Sequence, residues 1–433
     1  MRSGSIHLVG IGGVGMSALA QAFLDKGFSV TGSDRSLRGG AKPSAVLEAL
    51  ARQGVVLSPD DGTGVTDETA RVVVSTAIEE TNPDLAAARA WNVPVQHRAA
   101  ALAEVLADRQ LVAVAGTCGK STVTAMLGHL LTVCGVDPCV VNGAQIAGWD
   151  ERGGRVGSVR KGGGPFAVAE VDESDRSLTA FRPYAVVVTN ASADHYSKEE
   201  MDAVFDAFVA AVPGPVVDGR KPLPEDPELV QIAATCPLPG AHNRQNAELA
   251  LRMACRLGVP RAALAAAMAS FPGVERRLQR VGTWRDATHQ VDVFDDYAHN
   301  PEKLHAMLVT LQEAYPAGVA AVWRPHGYAP LRKMADALAD MFRATLRPQD
   351  LLVLPPVYDA GGTADRSVGT EALLARLGDV RGTVLGVADL DEAEKVLRAR
   401  VPSEGVIVTA GARDPGLPVL ARRFIQEKKG VTA

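Results

Sequence analysis

The chain has 433 residues, and its 45 Lys and Arg residues against 50 Asp and Glu residues give a formal net charge of −5. At about 100–200 residues per domain, this length predicts two to four domains, and the mildly acidic balance argues against a protein that binds nucleic acid through its overall charge. An apolar fraction of 47% is typical of a globular protein, while no apolar run reaches the ~18 residues that a membrane helix needs.

Strand-like and helix-like segments alternate over the first hundred residues. Apolar, β-branched runs at residues 6–10, 28–31, 72–75 and 93–96 predict strands, and the patterns at residues 16–26 and 84–91 predict helices. Strands separated by helices of this size are typical of βαβ units, in which the strands of one sheet are parallel.

The same alternation begins again near residue 108 and once more near residue 280. Strands are predicted at residues 111–115, 166–171, 185–189, 291–294, 319–323, 351–354 and 406–409, and helices at residues 247–258 and 260–270. Residues 212–226 are rich in Pro, Asp and Gly and are predicted to form surface loops. These patterns predict the α/β fold class, with three domains in series at residues 1–108, 109–280 and 281–433.

A glycine-rich turn joins the first predicted strand to the first helix. Its sequence is Gly10-Ile11-Gly12-Gly13-Val14-Gly15, and Asp34 ends the next strand. Glycines at this spacing allow a tight turn and let a pyrophosphate approach the backbone at a helix N-terminus. The pattern predicts a nucleotide diphosphate site without telling which nucleotide binds. NAD is the first candidate, and a purely structural role of the glycines is the alternative.

A second loop, at the start of the middle domain, predicts a triphosphate site. The sequence Gly116-Thr117-Cys118-Gly119-Lys120-Ser121 follows a strand and opens a helix. In such a loop the backbone amides surround the phosphates, the lysine reaches the outer phosphate oxygens, and the next hydroxyl ligates Mg²⁺. The strict pattern has glycine where this chain has Val114, so the loop is a shortened variant.

Acidic and imidazole side chains follow two later strands of the same domain. These side chains are Glu170, Asp172, Glu173 and Asp175 after one strand, and Asp194 and His195 after the next. Carboxylates so close together repel one another unless a cation or solvent relieves them. The segment is therefore either a metal site or a solvated acidic turn, and His195 is either a member of that metal site or a structural histidine.

In their order and spacing, these motifs resemble the Mur ligases, which join amino acids to UDP-N-acetylmuramate with ATP. The resemblance covers nearly the whole chain. It is strongest to the branch that adds L-alanine and to the related branch that adds a murein peptide. The motifs that carry it lie at residues 7–16, 116–122, 170–175, 189–195, 240–246, 273–277, 295–301 and 325–328.

The resemblance implies a Rossmann-like UDP-binding domain, a shortened P-loop ATPase domain with a central, mostly parallel sheet, and a Rossmann-like C-terminal domain that presents the amino acid. It assigns the first glycine loop to the UDP group rather than to NAD, with contacts from Gly12, Gly13, Val14, Gly15, Ser33, Asp34, Ser75 and Arg98. It assigns ATP to Gly116, Thr117, Gly119, Lys120, Ser121, Thr122, His242, Asn246, Arg277 and Asp296.

The same resemblance implies a metal site and a site for the amino acid. The ligands of Mg²⁺ would be Ser121, Glu170 and His195, and the amino acid would contact Tyr297, His299 and Arg332. The catalytic residues are then expected to be Lys120, Glu170, His195, Arg277 and His299.

The implied reaction is the ATP-dependent addition of L-alanine to UDP-N-acetylmuramate in peptidoglycan precursor synthesis. The substrate carboxylate attacks the γ-phosphate of ATP to give an acyl phosphate, which the amine then attacks. Because acyl phosphates hydrolyse in water, the domains are expected to close before the chemistry. The expected partners are a UDP-N-acetylmuramate-like nucleotide sugar, ATP, Mg²⁺ and an amino acid or short peptide, bound by a monomer or homodimer.

Several positions depart from the pattern of this family. Gly327 and Pro330 replace arginines that usually follow the Pro-His dipeptide, and Arg332 remains downstream. Residues 195–240 form a shorter segment than is usual, and Cys118 replaces the usual His or Asn of the second loop. Removing a buried charge partner costs about 2–5 kcal/mol. The two replacements therefore suggest either a changed amino acid or peptide, or compensation by Arg332 and Arg324. We expect retained Mg-ATP chemistry with a changed acceptor selectivity.

Other functions fit parts of the sequence. A recycling ligase that adds an intact peptide, or a ligase with a non-murein substrate, would share the ATP loop. An NAD-linked dehydrogenase fits the first glycine loop but leaves Lys120 unexplained. A non-catalytic UDP-sugar-binding regulator fits the shortened middle domain but leaves Lys120 and Glu170 unexplained. Five cysteines without a Cys-x-x-Cys pair are typical of reduced thiols and favour a cytoplasmic location.

Overall fold

A computed structural model describes residues 4–40, 42–149, 155–172, 177–191, 198–286, 288–359 and 366–426 of the chain. Three separate sheets follow one another along the sequence, with helices between their strands, which confirms the predicted α/β class. Two compact units contain them. The first comprises Met1–Pro237 with Asn243–Val274, and the second comprises Leu238–His242 with Glu275–Ala433. No helix in the described ranges is both long and apolar enough to cross a membrane.

The first sheet is entirely parallel. Its strands are β1 (Ser5–Val9), β2 (Val30–Ser33), β3 (Val56–Ser58), β4 (Thr69–Val74) and β5 (Val95–His97), in the order β3-β2-β1-β4-β5. Its helices are α1 (Val14–Asp25), α2 (Ala45–Arg52), α3 (Pro83–Ala90) and α4 (Arg98–Val105). The strand predicted at residues 28–31 begins later, at Val30, because Phe28 lies exposed before the sheet and packs edge-on against Phe23.

The second sheet carries the P-loop. Its strands are β6 (Gln110–Ala115), β7 (Cys139–Val141), β8 (Val159–Arg160), β9 (Phe166–Glu170), β10 (Ala185–Val188) and β11 (Val216–Asp218). The order is β11-β10-β6-β9-β7-β8, and β7 pairs with β8 in the antiparallel sense while the other pairs are parallel. The helices are α5 (Lys120–Val133), α6 (Lys198–Ala210), α7 (Pro227–Ala233), α8 (Ala241–Arg256) and α9 (Arg261–Ala269).

Two sequence predictions for this region are wrong in detail. Residues 212–226 are not loop throughout, because β11 adds to the sheet edge through parallel pairing with β10. Helix α8 begins at Ala241 rather than at residue 247. Its first turns are polar rather than apolar, which hides them from a search for apolar periodicity.

Side-chain contacts hold the first two sheets in one unit. Arg155 forms a bidentate ion pair with Asp25 at the end of α1, with both N–O distances 2.8 Å. Gln21 is buried on the same helix, and its amide both donates to and accepts from the backbone of Val156. Because a buried amide with both groups paired is stable in the interior, α1 is held firmly against the second sheet domain.

The third sheet forms the core of the second unit. Its strands are β12 (Gln279–Arg285), β13 (Gln290–Asp296), β14 (Val319–Trp323), β15 (Leu351–Leu354), β16 (Thr383–Gly386) and β17 (Val406–Ala410). They lie in the order β12-β13-β17-β14-β15-β16, with β12 antiparallel to β13 and the other pairs parallel.

Helices cover both faces of this sheet. One apolar core takes residues from α10 (Pro301–Ala314), α11 (Tyr328–Thr345) and α12 (Thr370–Leu377). A separate core on the other face takes residues from α13 (Leu390–Arg400) and α14 (Gly416–Ile425). Strand β17 lies between β13 and β14 in this sheet. The helices that follow β13 and β14 therefore pack on one face, and the helix that follows β17 packs on the other.

Candidate functional site

The first candidate site lies at the carboxyl end of β1, where the glycine loop enters α1. Gly10 has a φ of +71°, which glycine adopts without strain. Asp34 Oδ2 accepts the backbone N–H of Gly12 at 3.0 Å. A Cβ at residue 12 would stand 2.8 Å from the same oxygen, so a larger residue there would displace the Asp34 carboxylate.

Arg98 lies on another side of this loop. It is the first residue of α4, and its Nη1 is 3.0 Å from the position that a Cβ of Gly15 would occupy. Ser75 directly follows β4, the strand next to β1. The structure thus gathers a helix N-terminus, a cation and a carboxylate at one sheet edge, which suits a diphosphate joined to a sugar. The predicted residues brought together here are Gly12, Gly13, Val14, Gly15, Asp34, Ser75 and Arg98.

The Ser33 side chain does not face this loop. It is fully buried, and its hydroxyl donates a hydrogen bond to Asp84 Oδ2. Asp84 is also fully buried, accepts the N–H of Gly62 at 2.9 Å, and lies 3.7 Å from His7 Nε2. Burial by itself would raise the pKa of Asp84, but His7 and Ser33 lower it below the ordinary value. Ser33 therefore belongs to a buried polar cluster beneath the loop.

We expect Asp84→Ala to lower the free energy of unfolding of the first unit by about 2–4 kcal/mol, because it leaves the buried Ser33 hydroxyl and the partly buried Gly62 N–H without an acceptor. Urea unfolding, followed by hydrogen exchange of β1 and β2, measures this loss. Since the folded-state pKa of Asp84 is lowered, its stabilisation is present above the unfolded-state pKa and fades as the pH falls through the folded-state pKa. Asp67→Ala, at an exposed aspartate of the same domain, is the control; equal effects of the two variants would contradict the expectation.

The second candidate site is the loop between β6 and α5. Gly116 and Gly119 have φ values of +125° and +86°, so both occupy backbone conformations that disfavour other residues. Lys120 begins α5, and its Nζ donates to the carbonyl oxygen of Gly116 at 2.7 Å. The loop residues Gly116, Thr117, Gly119, Lys120, Ser121 and Thr122 thus form one turn at a helix N-terminus, the geometry that binds phosphate.

The two residues that follow β10, Thr189 and Asn190, hold this loop through hydrogen bonds that were not predicted from the sequence. Asn190 Oδ1 accepts the N–H of Cys118 at 3.0 Å, and its Nδ2 donates to the Cys118 carbonyl at 2.8 Å. The Thr189 hydroxyl donates to the same carbonyl at 2.6 Å. Asn190 is therefore a positioning residue for the loop. The signal available in the sequence was a polar pair directly after a buried strand of the same sheet.

Glu170 ends β9 beside the loop. Its Oε2 accepts the Ser121 hydroxyl at 2.8 Å and the N–H of Gly143 at 2.9 Å. A Cβ at residue 143 would overlap this carboxylate, with Cδ only 2.7 Å away. Gly143 lies in the loop after β7 and was not predicted as a site residue. The two predicted oxygen ligands Ser121 and Glu170 are thus adjacent, which suits a hard cation such as Mg²⁺.

Other predicted members of this site have different outcomes. Asp172 Oδ1 lies 3.9 Å from Lys120 Nζ, so the acidic segment does reach the P-loop lysine. Glu173, Asp175, Asp194 and His195 lie outside the described residues, and the role of His195 stays a prediction. Among the residues that the structure describes, no three His, Cys, Asp or Glu side chains come together as a metal site.

Helix α8 carries two of the residues predicted to contact ATP, His242 and Asn246, one turn apart. A Cβ at Gly119 would stand 2.6 Å from Asn246 Oδ1, so the Asn246 amide lies against the phosphate loop. His242 belongs to the second unit, where its Nδ1 lies 3.5 Å from the Thr310 hydroxyl. The structure therefore places Asn246 at the P-loop itself.

The second unit has an acidic pair at the carboxyl end of β13. Asp295 accepts Arg276 Nε at 3.0 Å and the Thr409 hydroxyl at 2.7 Å. Asp296 accepts the backbone N–H groups of Leu278 at 2.6 Å and Ala298 at 2.7 Å. Burial raises the pKa of Asp296 to about 6, against the opposing effect of these backbone hydrogen bonds. Asp296 thus fixes the turn that follows the strand.

Aromatic and cationic side chains cluster beyond this acidic pair. The guanidinium groups of Arg276 and Arg277 lie over the Tyr297 ring, 5.1 and 5.5 Å from its centroid. The His299 ring meets Tyr297 edge-on and lies 5.1 Å from the ring of His326. The predicted residues Arg277, Asp296, Tyr297 and His299 are thus neighbours at one end of the third sheet.

Arg332, the third residue predicted to contact the amino acid, lies on α11. It is exposed on the second turn of this helix, whose N-cap is Gly327 and whose first turn contains Pro330. No cation occupies the first turn of α11, so the end of β14 lacks the positive charge that arginines at those two positions would provide.

Three serial α/β domains, with a glycine loop in the first and a P-loop in the second, define a multi-domain nucleotide-dependent enzyme. Residues 5–110 match the description "Mur ligase family, catalytic domain", and residues 276–413 match "Mur ligase, glutamate ligase domain". A UDP-N-acetylmuramate–L-alanine ligase of Sinorhizobium fredii is 33% identical, over 86% of this chain and 86% of that protein. The chain therefore belongs to the Mur ligase family.

Solved structures agree with this fold. A UDP-N-acetylmuramate–alanine ligase of Thermotoga maritima has a TM-score of 0.75 at 24% identity and covers 97% of this chain and 98% of its own. A murein peptide ligase of Psychrobacter arcticus has a TM-score of 0.64 at 20% identity, with coverages of 97% and 98%. Membership in a ligase family excludes the dehydrogenase hypothesis for the first glycine loop.

Proposed function

We propose that this chain is an ATP-dependent ligase that adds L-alanine to UDP-N-acetylmuramate in peptidoglycan precursor synthesis. The observation that carries the proposal is the P-loop itself. In a chain related over most of its length to ligases named for this reaction, Lys120 and Ser121 open α5 beside the carboxylate of Glu170.

The chemistry divides into two steps. The carboxylate of the nucleotide sugar attacks the γ-phosphorus of ATP in line, the bond to ADP breaks, and an acyl phosphate forms. The neutral amine of the amino acid then attacks the acyl carbon, phosphate leaves, and the nitrogen loses a proton. The first step builds negative charge on the transferred phosphoryl group, so preorganised cations and N–H groups beside it lower the barrier.

The P-loop supplies these groups on the nucleotide side. Its N–H groups lie at the N-terminus of α5, and the side chain of Lys120 rests on Gly116 at its base. We propose that the amine moves from this carbonyl to the phosphate oxygens when ATP binds. Ser121 and Glu170 are the proposed ligands of Mg²⁺, which when bound neutralises charge on the phosphates. A third ligand at His195, and the roles of Arg277, Asp296 and His299 in catalysis, stay predictions.

The first glycine loop is the proposed site of the UDP diphosphate. The N–H groups of Gly13 to Gly15 open α1, Arg98 lies against the loop, and Asp34 holds Gly12. Ser33 acts in this proposal through its buried hydrogen bond to Asp84, rather than by touching the nucleotide. The domain limits 1–108, 109–280 and 281–433, a monomeric or dimeric state and a cytoplasmic location stay predictions.

Phosphate release by the purified full chain tests the function. We expect release with ATP, Mg²⁺ and UDP-N-acetylmuramate only when an amine acceptor is added, and L-alanine to be the best of the proteinogenic amino acids. Mass spectrometry should show the nucleotide sugar plus the amino acid minus one water. A peptide with N-terminal L-alanine belongs in the panel, because Gly327 and Pro330 stand where the family usually has arginines. If none of the acceptors in the panel causes phosphate release, the ligase assignment is contradicted.

A further inference from the structure

The loop after β17 holds an arginine in a strained conformation. Arg413 has a φ of +65°, in the left-handed region that glycine occupies easily and that β-carbon-bearing residues rarely adopt. Its neighbours Ala412 and Asp414 are both only 3% exposed, whereas Arg413 itself is exposed. A strained residue persists where the surrounding structure determines its conformation, and such residues cluster at ligand-binding sites.

The surroundings do determine this conformation. The Asp414 carboxylate accepts Arg324 Nη1 at 2.7 Å and the N–H of Gly416 at 2.8 Å. The N–H of Asp414 donates to the Ala412 carbonyl at 2.8 Å, which closes a tight turn around Arg413. The side chain that projects from this turn is therefore presented by a rigid frame, with little freedom left in its backbone.

The topology places this turn at the binding crevice of the third sheet. In open α/β sheets, ligands bind beyond the carboxyl ends of strands where successive connections leave on opposite faces. Strand β17 lies between β13 and β14. Helices α10 and α11, which follow those two strands, pack on one face, and α14, which follows β17, packs on the other. The end of β17 is thus the switch point of the sheet.

The groups around Arg413 make this crevice positive in character. Arg413 and His299 both act on His326, whose pKa is lowered to about 4 by its burial first and then by these neighbours. The nearby carboxylates are already engaged, since Asp414 is paired with Arg324 and Asp295 with Arg276. In the described part of the chain the Arg413 guanidinium forms no hydrogen bond or ion pair. Its N–H donors are therefore available to an anionic ligand.

We propose that Arg413 binds the carboxylate of the amino acid that the ligase adds, and so determines acceptor selectivity. This inference rests on the proposed function. An arginine fork matches a carboxylate in two parallel hydrogen bonds, and holding that end of the amino acid leaves its amine to attack the acyl phosphate. The charge missing from Gly327 and Pro330 at the end of β14 is supplied from β17, the adjacent strand.

The test compares Arg413→Gly with the parent chain in the phosphate-release assay. Glycine removes the guanidinium and relieves the strained φ, so the variant should fold with an equal or higher thermal midpoint. The KM for the amino acid should rise about 10- to 100-fold, the range for losing a charged hydrogen-bond pair. The KM values for ATP and for the nucleotide sugar should stay within about twofold. Arg413→Lys should recover only part of the loss, because lysine keeps the charge but not the fork.

Substrate amides give the sharpest readout. The parent should strongly prefer the amino acid over its primary amide, which lacks the carboxylate charge, and Arg413→Gly should lose most of this preference. Arg400→Gly, at the exposed end of α13 before β17, is the matched control and should keep the parent preference. An unchanged preference in Arg413→Gly, or a rise of all three KM values together, would overturn the role of Arg413 alone. If none of the tested acceptors causes the parent chain to release phosphate, the proposed function is overturned and this inference with it.

Discussion

Lys120→Ala is expected to reduce phosphate release about 10²–10³-fold, the usual cost of removing one preorganised group that stabilises a transition state. Lys120 is the cationic side chain of the P-loop, because Gly116, Thr117, Cys118 and Gly119 carry no positive charge. The chain should still fold, because the contacts of Nζ with the Gly116 carbonyl oxygen and, at 3.9 Å, with Asp172 lie at the end of a side chain that is not part of the apolar core. The measurement is kcat for phosphate release together with the thermal midpoint.

Lys161→Ala provides the matched control, because Lys161 is an exposed lysine of the same compact unit. It should keep the parent kcat. The two variants should share thermal midpoints within a few degrees, so that a loss of activity in Lys120→Ala reports on chemistry rather than on folding. A Lys120→Ala chain with near-parent kcat would remove the P-loop from the mechanism.

Much of the fold could be predicted because strand, glycine turn and helix are local patterns. The β1 turn that begins at Gly10 and the β6 turn that begins at Gly116 each combine an apolar strand, positive-φ glycines and a helix within a dozen residues. Short edge strands could not be predicted in the same way. Strand β11 spans only Val216–Asp218 and exists through its pairing with β10, which local sequence does not encode.

Site residues could be predicted from the sequence where the residue type and its motif together indicate a single role. A lysine after two P-loop glycines indicates phosphate wherever it occurs, but a serine at a strand end can face either way. Ser33 was predicted to contact the nucleotide, and the structure instead shows its hydroxyl on buried Asp84. That outcome depends on α3, some fifty residues later in the chain, which brings Asp84 under the strand.

Residues that act through backbone geometry were the hardest to foresee. Asn190 holds the P-loop through the backbone N–H and carbonyl groups of Cys118, and the role proposed for Arg413 depends on a turn in which its φ is +65°. Neither property is visible in a sequence, since the same residue types occur in many loops without such roles. The contacts link segments more than seventy residues apart in the case of Asn190, and only the folded chain brings them together.

Gly143→Ala is expected to lower kcat for phosphate release about 10²-fold without unfolding the chain. The new Cβ would overlap the Glu170 carboxylate, whose Cδ lies 2.7 Å away, so the carboxylate must move by about an ångström. A side-chain end moves at low cost in stability, but a misplacement of this size at a reacting centre costs rates of that order. The Mg²⁺ concentration for half-maximal activity should rise at the same time, because Ser121 and Glu170 would no longer stand 2.8 Å apart.

Two further variants separate displacement of the carboxylate from its loss. Glu170→Ala should reproduce the slow rate, and adding Gly143→Ala to it should change little more, because the group that the methyl displaces is already gone. Gly163→Ala is the control, since that glycine is exposed, has no positive φ, and would place its Cβ 3.2 Å from the flexible end of Asp137. Independent, additive losses in the double variant would mean that Gly143 acts on something other than Glu170. Non-additive losses would tie the rate to one carboxylate held between the Ser121 hydroxyl and a backbone N–H.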